Sequence, residues 1–298
     1  MKDLSGRTAF VTGGANGIGR ALAGALLAEG CNVAIADIRQ DALDATVAEL
    51  GHANVMPVTL DVASRDAFVS AADRVERELG PVSLLFNNAG VNLFRSIDES
   101  TYEDWDWVVG VNLNGVIHGI MTFVPRMKSR GGDAHIVNTA SMAAFFSSAV
   151  PGIYNTTKFA VRALSESLRY SLHEHGIGVS LLCPGLVDSA MHRCDELNPA
   201  GATHEPGMAR VFRLGMDPAT VAERVLNAIR ENRYYIFTHP EHKSQLRILF
   251  DEIIAAYPEG KAPAGRASYE ARVHAMFRQA RARAGLGQDD TECSWKGR

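Results

Sequence analysis

Cysteine is scarce in this 298-residue chain: Cys31, Cys183, Cys194 and Cys293 show no C-x-x-C or C-x-x-H spacing. A disulfide scaffold and a zinc ribbon are thereby excluded, and the four read as reduced thiols of a cytoplasmic protein. Charge of one sign is also lacking. Thirty Lys and Arg stand against 34 Asp and Glu, net −4, which sets up no field to gather nucleic acid or an anionic membrane. No apolar run approaches the roughly 18–20 residues that span a bilayer. The opening Met1-Lys2-Asp3-Leu4-Ser5-Gly6-Arg7 has no signal-peptide core. Neither a nucleic-acid nor a membrane partner is expected. His173 and His175 lie two apart on a helix, His118 falls inside another, and His239 and His242 sit near a strand end. None has a partner at ligand spacing, so no metal is expected.

What remains, 46% hydrophobic and 21% charged, is a globular composition with length for one large domain or two small ones. Short β-branched runs at 8–12, 32–36, 55–60, 82–86, 134–138, 178–182 and 234–237 alternate with helical stretches at 20–29, 41–50, 64–79, 102–130 and 153–175. Strand runs that are apolar without alternation are buried on both faces. The fold class is therefore α/β, a doubly wound parallel sheet in three α/β/α layers, with ligands beyond the carboxyl ends of the strands. Residues 186–216, rich in Pro, Gly and Met, read as a lid. Residues 1–258 form the expected catalytic domain. The breaker cluster Lys261-Ala262-Pro263-Ala264-Gly265 and the basic stretch 266–283 make 259–298 a helical extension and tail.

Two constellations carry chemistry. Strand 8–12 runs into Thr12-Gly13-Gly14-Ala15-Asn16-Gly17-Ile18-Gly19 and a helix. Glycines let the backbone approach a pyrophosphate, which the N–H groups at a helix start favour. Asp37 ends the next strand, where a carboxylate accepts from ribose hydroxyls and repels a 2′-phosphate; NAD is preferred to NADP, with Arg39 close enough to blur the choice. Tyr154 and Lys158, four apart on a helix, point together. A phenol titrating near ~10 is a poor base, and an adjacent ammonium is expected to favour the phenolate. Ser141, after the run Ile136-Val137-Asn138-Thr139-Ala140, supplies a hydroxyl for the same substrate oxygen.

With Asp61-Val62, Asn87-Asn88-Ala89-Gly90, Asn112 and Pro184-Gly185-x-Val187-x-Ser189, the chain resembles the short-chain dehydrogenase/reductase family, in its single-domain Rossmann subgroup, from residue 7 to about 240. The resemblance implies that Asn88, Ala89 and Gly90 line the adenosine side and that Asp61 and Val62 hold the adenine. Asn112 kinks a helix and anchors a water of the proton relay. Pro184, Gly185, Val187 and Ser189 complete the cofactor site, Ser189 standing where the family usually has Thr. The implied catalytic set is Asn112, Ser141, Tyr154 and Lys158, moving a hydride between NAD and a secondary alcohol.

A narrower likeness links 101–108, 110–116 and 123–127, with the long C-terminus, to bacterial Cα-dehydrogenases of lignin-derived aryl ethers, which implies a benzylic alcohol. Those stretches carry ancestry better than substrate choice. No cation but Lys158 accompanies Ser141 and Tyr154, which disfavours small anions. The substrate is expected to be a bulky aryl or alicyclic alcohol or ketone, touching Ser141, Ala143, Phe145, Tyr154, Leu186 and Met191. Phe146, Ala149, Val150, Met208 and Met216 are further candidates for the apolar wall. Trp105 and Trp107 are assigned to packing. A hydroxysteroid dehydrogenase, a dinucleotide-sensing binding protein and an NAD-using lyase or epimerase are the alternatives. The resemblance also implies a homodimer or homotetramer formed through 102–130 and 153–175.

Overall fold

All five residues of β1 (Thr8–Thr12) are buried: Ala9 and Val11 face one helical layer and Phe10 the other. That two-sided burial is what a strand without polar alternation requires. The computed structural model describes residues 1–131, 133–201, 207–260 and 263–286; Cys293 lies outside them. The chain continues through α1 (Gly17–Ala28), β2 (Asn32–Asp37), α2 (Gln40–Leu50), β3 (Val55–Thr59), α3 (Arg65–Leu79) and β4 (Val82–Asn87). The described strands make one seven-stranded parallel sheet, ordered β3-β2-β1-β4-β5-β6-β7, with β5 (Ala134–Thr139), β6 (Ile177–Cys183) and β7 (Tyr235–Phe237) completing it. Pro57, which lacks an amide donor, falls on the edge strand β3, where it is tolerated.

One core lies under α3 and α5 (Gly115–Arg130), where the Phe10, Phe68 and Phe123 rings meet at 5.1–6.3 Å. The other lies under α1 and α8 (Pro218–Arg230), around Leu22, Leu26, Ile35, Val221 and Val225. The stretch 102–130 is α4 (Tyr102–Val109), a π turn at Gly110–Asn114 and α5 (Gly115–Arg130). It corrects one expectation: an 18-residue window here, of mean hydropathy 1.4, is long and apolar enough to span a bilayer. In this fold it is a flanking helix, packed through Val116, Ile120 and Phe123.

α6 (Gly152–Leu172) ends in a 3₁₀ turn. Three helices fall where none was expected: α7 (Met208–Phe212), α8 (Pro218–Arg230) and α9 (Lys243–Ala255), before α10 (Ala264–Arg283). α8 starts with Asp217 capping Ala219 N–H and proline at the first position, a standard helix start. The segment 186–216, expected as a lid, is stapled at its base. Asp188 N–H donates to Met216 O at 3.0 Å and Met216 N–H to Leu186 O at 2.9 Å, which brings the two ends of the segment together.

Candidate active site

β1 and β4 are neighbours from which the sheet grows in opposite directions, and a cleft opens at their carboxyl ends. Thr12, the last residue of β1, joins the two strands: Asn88 N–H (2.9 Å) and Ala89 N–H (3.0 Å) donate to its Oγ1, and Asn88 Nδ2 donates to its carbonyl. The cleft of about 770 Å³ is lined by Gly13, Asn16, Gly17, Ile18, Asp37, Asp61, Val62, Asn88, Ala89 and Gly90. Across from them stand Pro184, Gly185, Val187 and Ser189, with Ser141, Tyr154 and Lys158 on the same surface.

The glycine turn is a cradle that side chains would fill. Gly13 has φ +63°, and a Cβ on it would lie 2.9 Å from Ala89 Cα. Gly17 has φ +48°, with Ser189 Cβ 2.8 Å from the position of its missing Cβ. Asn16 precedes α1 without a side-chain cap, so first-turn N–H groups are available to a phosphate. Gly19 is placed differently from expectation. It sits behind the cradle, where a Cβ would fall 2.0 Å from Gly13 O, and serves close helix–strand packing. Asp37 and Arg39 both line the cleft, and the Asp37 carboxylate accepts from Arg39 N–H at 3.2 Å. The donor set therefore fits a dinucleotide, with the glycine cradle for the pyrophosphate and Asp37 for a ribose.

Ser141, at the end of β5, and Tyr154 and Lys158, on the first turns of α6, converge. Lys158 Nζ lies 5.4 Å from the Tyr154 ring centroid and donates to Thr139 O at 2.9 Å. Ser141 accepts from Ala143 N–H at 3.1 Å and hydrogen-bonds the phenol. The expected ammonium effect is reversed by burial. Desolvation pushes Tyr154 up to about 12, restrained by Ser141, and pulls Lys158 down to about 8. Each group loses hydration in its charged form, and that loss is the largest cause of either shift.

Asn112 is fully buried in the π turn and lies behind the cleft wall. Its Oδ1 accepts from Val91 N–H (2.8 Å), and its Nδ2 donates to Val91 O (2.9 Å) and Thr157 Oγ1 (3.2 Å). A Cβ at Gly90 would come within 3.4 Å of Asn112 Oδ1 and 3.5 Å of Lys158 Nζ, so that glycine keeps the lane between them open.

Of the apolar candidates, Ala143, Phe146, Leu186, Met191 and Met208 line the cleft; Phe145, Ala149, Val150 and Met216 do not. Phe145 is corrected to a core residue: the Arg162 guanidinium lies 4.1 Å over its ring and the Phe237 ring packs against it, tilted, at 5.5 Å. The tight turn at Met142–Ala144 sends Phe146 to the cleft and its neighbour away. Trp107 packs on the Val91, Leu93, Val108 and Ile153 cluster as assigned, and it also joins the cleft wall with Asn92, Phe94, Cys194, Leu197 and Phe212. Trp105 packs on the same cluster, as assigned. His239 has a packing role with a purpose: its ring accepts from Gly185 N–H at 3.0 Å and reaches Leu186 O at 2.9 Å, fixing the lid base.

Comparison with known proteins agrees with this geometry. The short chain dehydrogenase family profile matches residues 7–198. A C alpha-dehydrogenase of Sphingobium sp. strain SYK-6 is 38% identical over 85% of this chain and 87% of its own length. A Burkholderia phymatum short chain dehydrogenase/reductase, solved in complex with NAD, aligns at TM-score 0.81 and 34% identity, covering 89% of this chain and all of that one. A Novosphingobium aromaticivorans protein grouped with the short-chain dehydrogenases aligns at TM-score 0.84 and 52% identity over 95% of this chain and all of its own.

Proposed function

The chain belongs to the short-chain dehydrogenase family and is an oxidoreductase that takes a nicotinamide dinucleotide; from that premise we propose that it oxidises a bulky, largely apolar aryl secondary alcohol, or reduces the matching ketone, with NAD. The observation that carries the reading is the meeting of Ser141, Tyr154 and Lys158 in a cleft whose facing wall is Phe94, Trp107, Phe146, Met191 and Phe212. Asp37 at the ribose end favours NAD over its phosphorylated form. The Sphingobium relative's C alpha-dehydrogenase name supports an aryl carbinol.

When bound, the dinucleotide supplies the hydride acceptor. The chain's own residues do the rest. Ser141 holds the carbinol oxygen and steadies its developing charge. Tyr154 removes the hydroxyl proton during oxidation and returns it during reduction. Lys158, anchored on Thr139 O, holds the nicotinamide ribose and stabilises the phenolate. Asn112, across the lane kept by Gly90, positions the water that passes the proton outward through Lys158. The lid excludes solvent from the apolar wall. Self-association through α4–α5 and α6 and a cytoplasmic location belong to the same proposal.

NADH formation with a panel of aryl, aliphatic and steroid secondary alcohols tests it. Turnover of the aryl members supports the reading. Turnover confined to steroid alcohols replaces it with the hydroxysteroid alternative, which the roomy apolar cleft also suits. Dinucleotide binding with no reduction would make the chain a sensor.

A further inference from the structure

His239 is a buried histidine, 8% exposed, that the hydride-transfer chemistry does not use. Both of its ring nitrogens are engaged. Nδ1 accepts from Gly185 N–H at 3.0 Å and lies 2.7 Å from the Thr238 hydroxyl, while Nε2 lies 2.9 Å from Leu186 O. Two donors at Nδ1 and one acceptor at Nε2 match the neutral imidazole with its proton on Nε2. The ring is also held from behind. Thr238 is fully buried, and Arg224 of α8 donates to its carbonyl. Gly185 leaves the room the ring needs, since a Cβ there would fall 2.8 Å from His239 Cγ.

The clasped peptides adjoin the catalytic serine. Pro184 O accepts from Met142 N–H at 2.8 Å and from the Ser141 hydroxyl at 3.4 Å, and the N–H of that same peptide turns to His239. Leu186 O is shared by His239 and Met216 N–H. A trans peptide points its carbonyl and its N–H in opposite directions, so Val187 N–H is turned away from both. Val187 lines the cleft, and among the described residues its N–H meets no acceptor. Such a group is seldom left without a partner.

We propose that His239 is a positioning residue for the cofactor: it sets the Pro184–Val187 turn so that this segment receives the nicotinamide end of the dinucleotide beside Ser141. The inference rests on the dinucleotide reading and deepens it. His239 stands behind the cleft wall and acts through the two peptides it clasps. The nicotinamide carboxamide carries an oxygen that can accept from Val187 N–H.

The test is calorimetric binding of NAD and of ADP-ribose, which lacks only the nicotinamide, to the wild type, His239→Leu and His239→Gln. Loss of the clasp in His239→Leu is expected to weaken NAD about 10-fold, the range for one net hydrogen bond, with ADP-ribose within about twofold. His239→Gln, whose amide nitrogen can donate to Leu186 O as Nε2 does, restores NAD binding to within about threefold. Unchanged NAD affinity in His239→Leu, an equal loss on ADP-ribose, or no restoration by glutamine overturns the assignment. If His239→Leu does not fold, His239→Asn, which keeps an acceptor for Gly185 N–H but no donor for Leu186 O, takes its place. A loss confined to NAD then upholds the role, and no loss overturns it. A wild type that binds neither NAD nor NADP refutes the dinucleotide reading itself, whereas a wild type that binds NAD with indifferent variants refutes His239 alone.

Discussion

Burial moves Tyr154 and Lys158 in opposite directions, up to about 12 and down to about 8, and so makes the protonated phenol the resting form at neutral pH. That form is the acid which ketone reduction needs, whereas oxidation needs its conjugate base. Oxidation is therefore expected to accelerate, and reduction to slow, as pH is raised above neutrality in initial-rate assays. Tyr154→Phe is expected to lower both directions by about 10³-fold, within the usual range for losing a general acid–base, with NAD binding within about twofold. His135 extends the same physics to stability. Burial first, then the Arg169 charge, pulls its pKa from 6.5 to about 3, while its Nε2 pairs with Ser180 Oγ at 2.8 Å. Because the unfolded chain protonates first, His135 contributes fully above pH 6.5 and its contribution is lost as pH falls towards 3. Thermal melts from pH 7 to 4 should fall more steeply for the wild type than for His135→Asn; parallel slopes would contradict this. The four-residue spacing of Tyr154 and Lys158 was legible in the sequence because helical geometry makes it so. The direction of their shifts was not, since it depends on burial, and neither was which of Phe145 and Phe146 turns to the cleft.

At the scale of elements, Asp104 ties α4 to the lid. It completes a capping box with Thr101, pairs with Arg95 and accepts from Asn198 Nδ2 at 3.2 Å. Burial pushes its carboxyl up, and these partners more than reverse it, leaving it below the usual range. Asp104→Asn should cost about 3 kcal/mol, as breaking a buried ion pair does, read from urea unfolding, and should raise the substrate KM by loosening Asn198. Unaltered KM with the stability loss would confine Asp104 to α4. The π turn at Gly110–Asn114 shows what a periodicity reading misses. It reads 102–130 as one helix, yet the extra residue per turn shifts the phase between α4 and α5 and turns Asn112 inward. α8 was legible but passed over: Asp217-Pro218 and the apolar spacing Val221, Ala222, Val225, Leu226, Ile229 carry both signals of a helix.

Over the whole molecule, the parallel sheet was readable because two-sided burial leaves unbroken apolar runs. α9 was less so, because its apolar residues find little cover in this subunit; α10, readable as the helical stretch 266–283, docks on α6 only at its end, where Arg281 pairs with Glu166 at 2.7 Å and Ala284 O accepts from Arg169 Nε at 2.7 Å. α9 buries none of its residues, leaving Ile248, Phe250, Ile253 and Ile254 at 40–58% exposure, and α10 shows Met276 and Phe277 at 65% and 56%. A 13-residue helix such as α9 gains little from propensity alone, so we propose that these apolar faces pack against a second copy of the chain. Ile254→Asp with Phe277→Asp should lower the mass found by light scattering, and an unchanged mass would place the contact elsewhere. The strand order carries a consequence in time. β2 lies on β1, β3 on β2, β4 back on β1, then β5, β6 and β7 each on its predecessor. Each strand after β1 leaves the ribosome with one neighbour already made, so the sheet can grow in the order of synthesis.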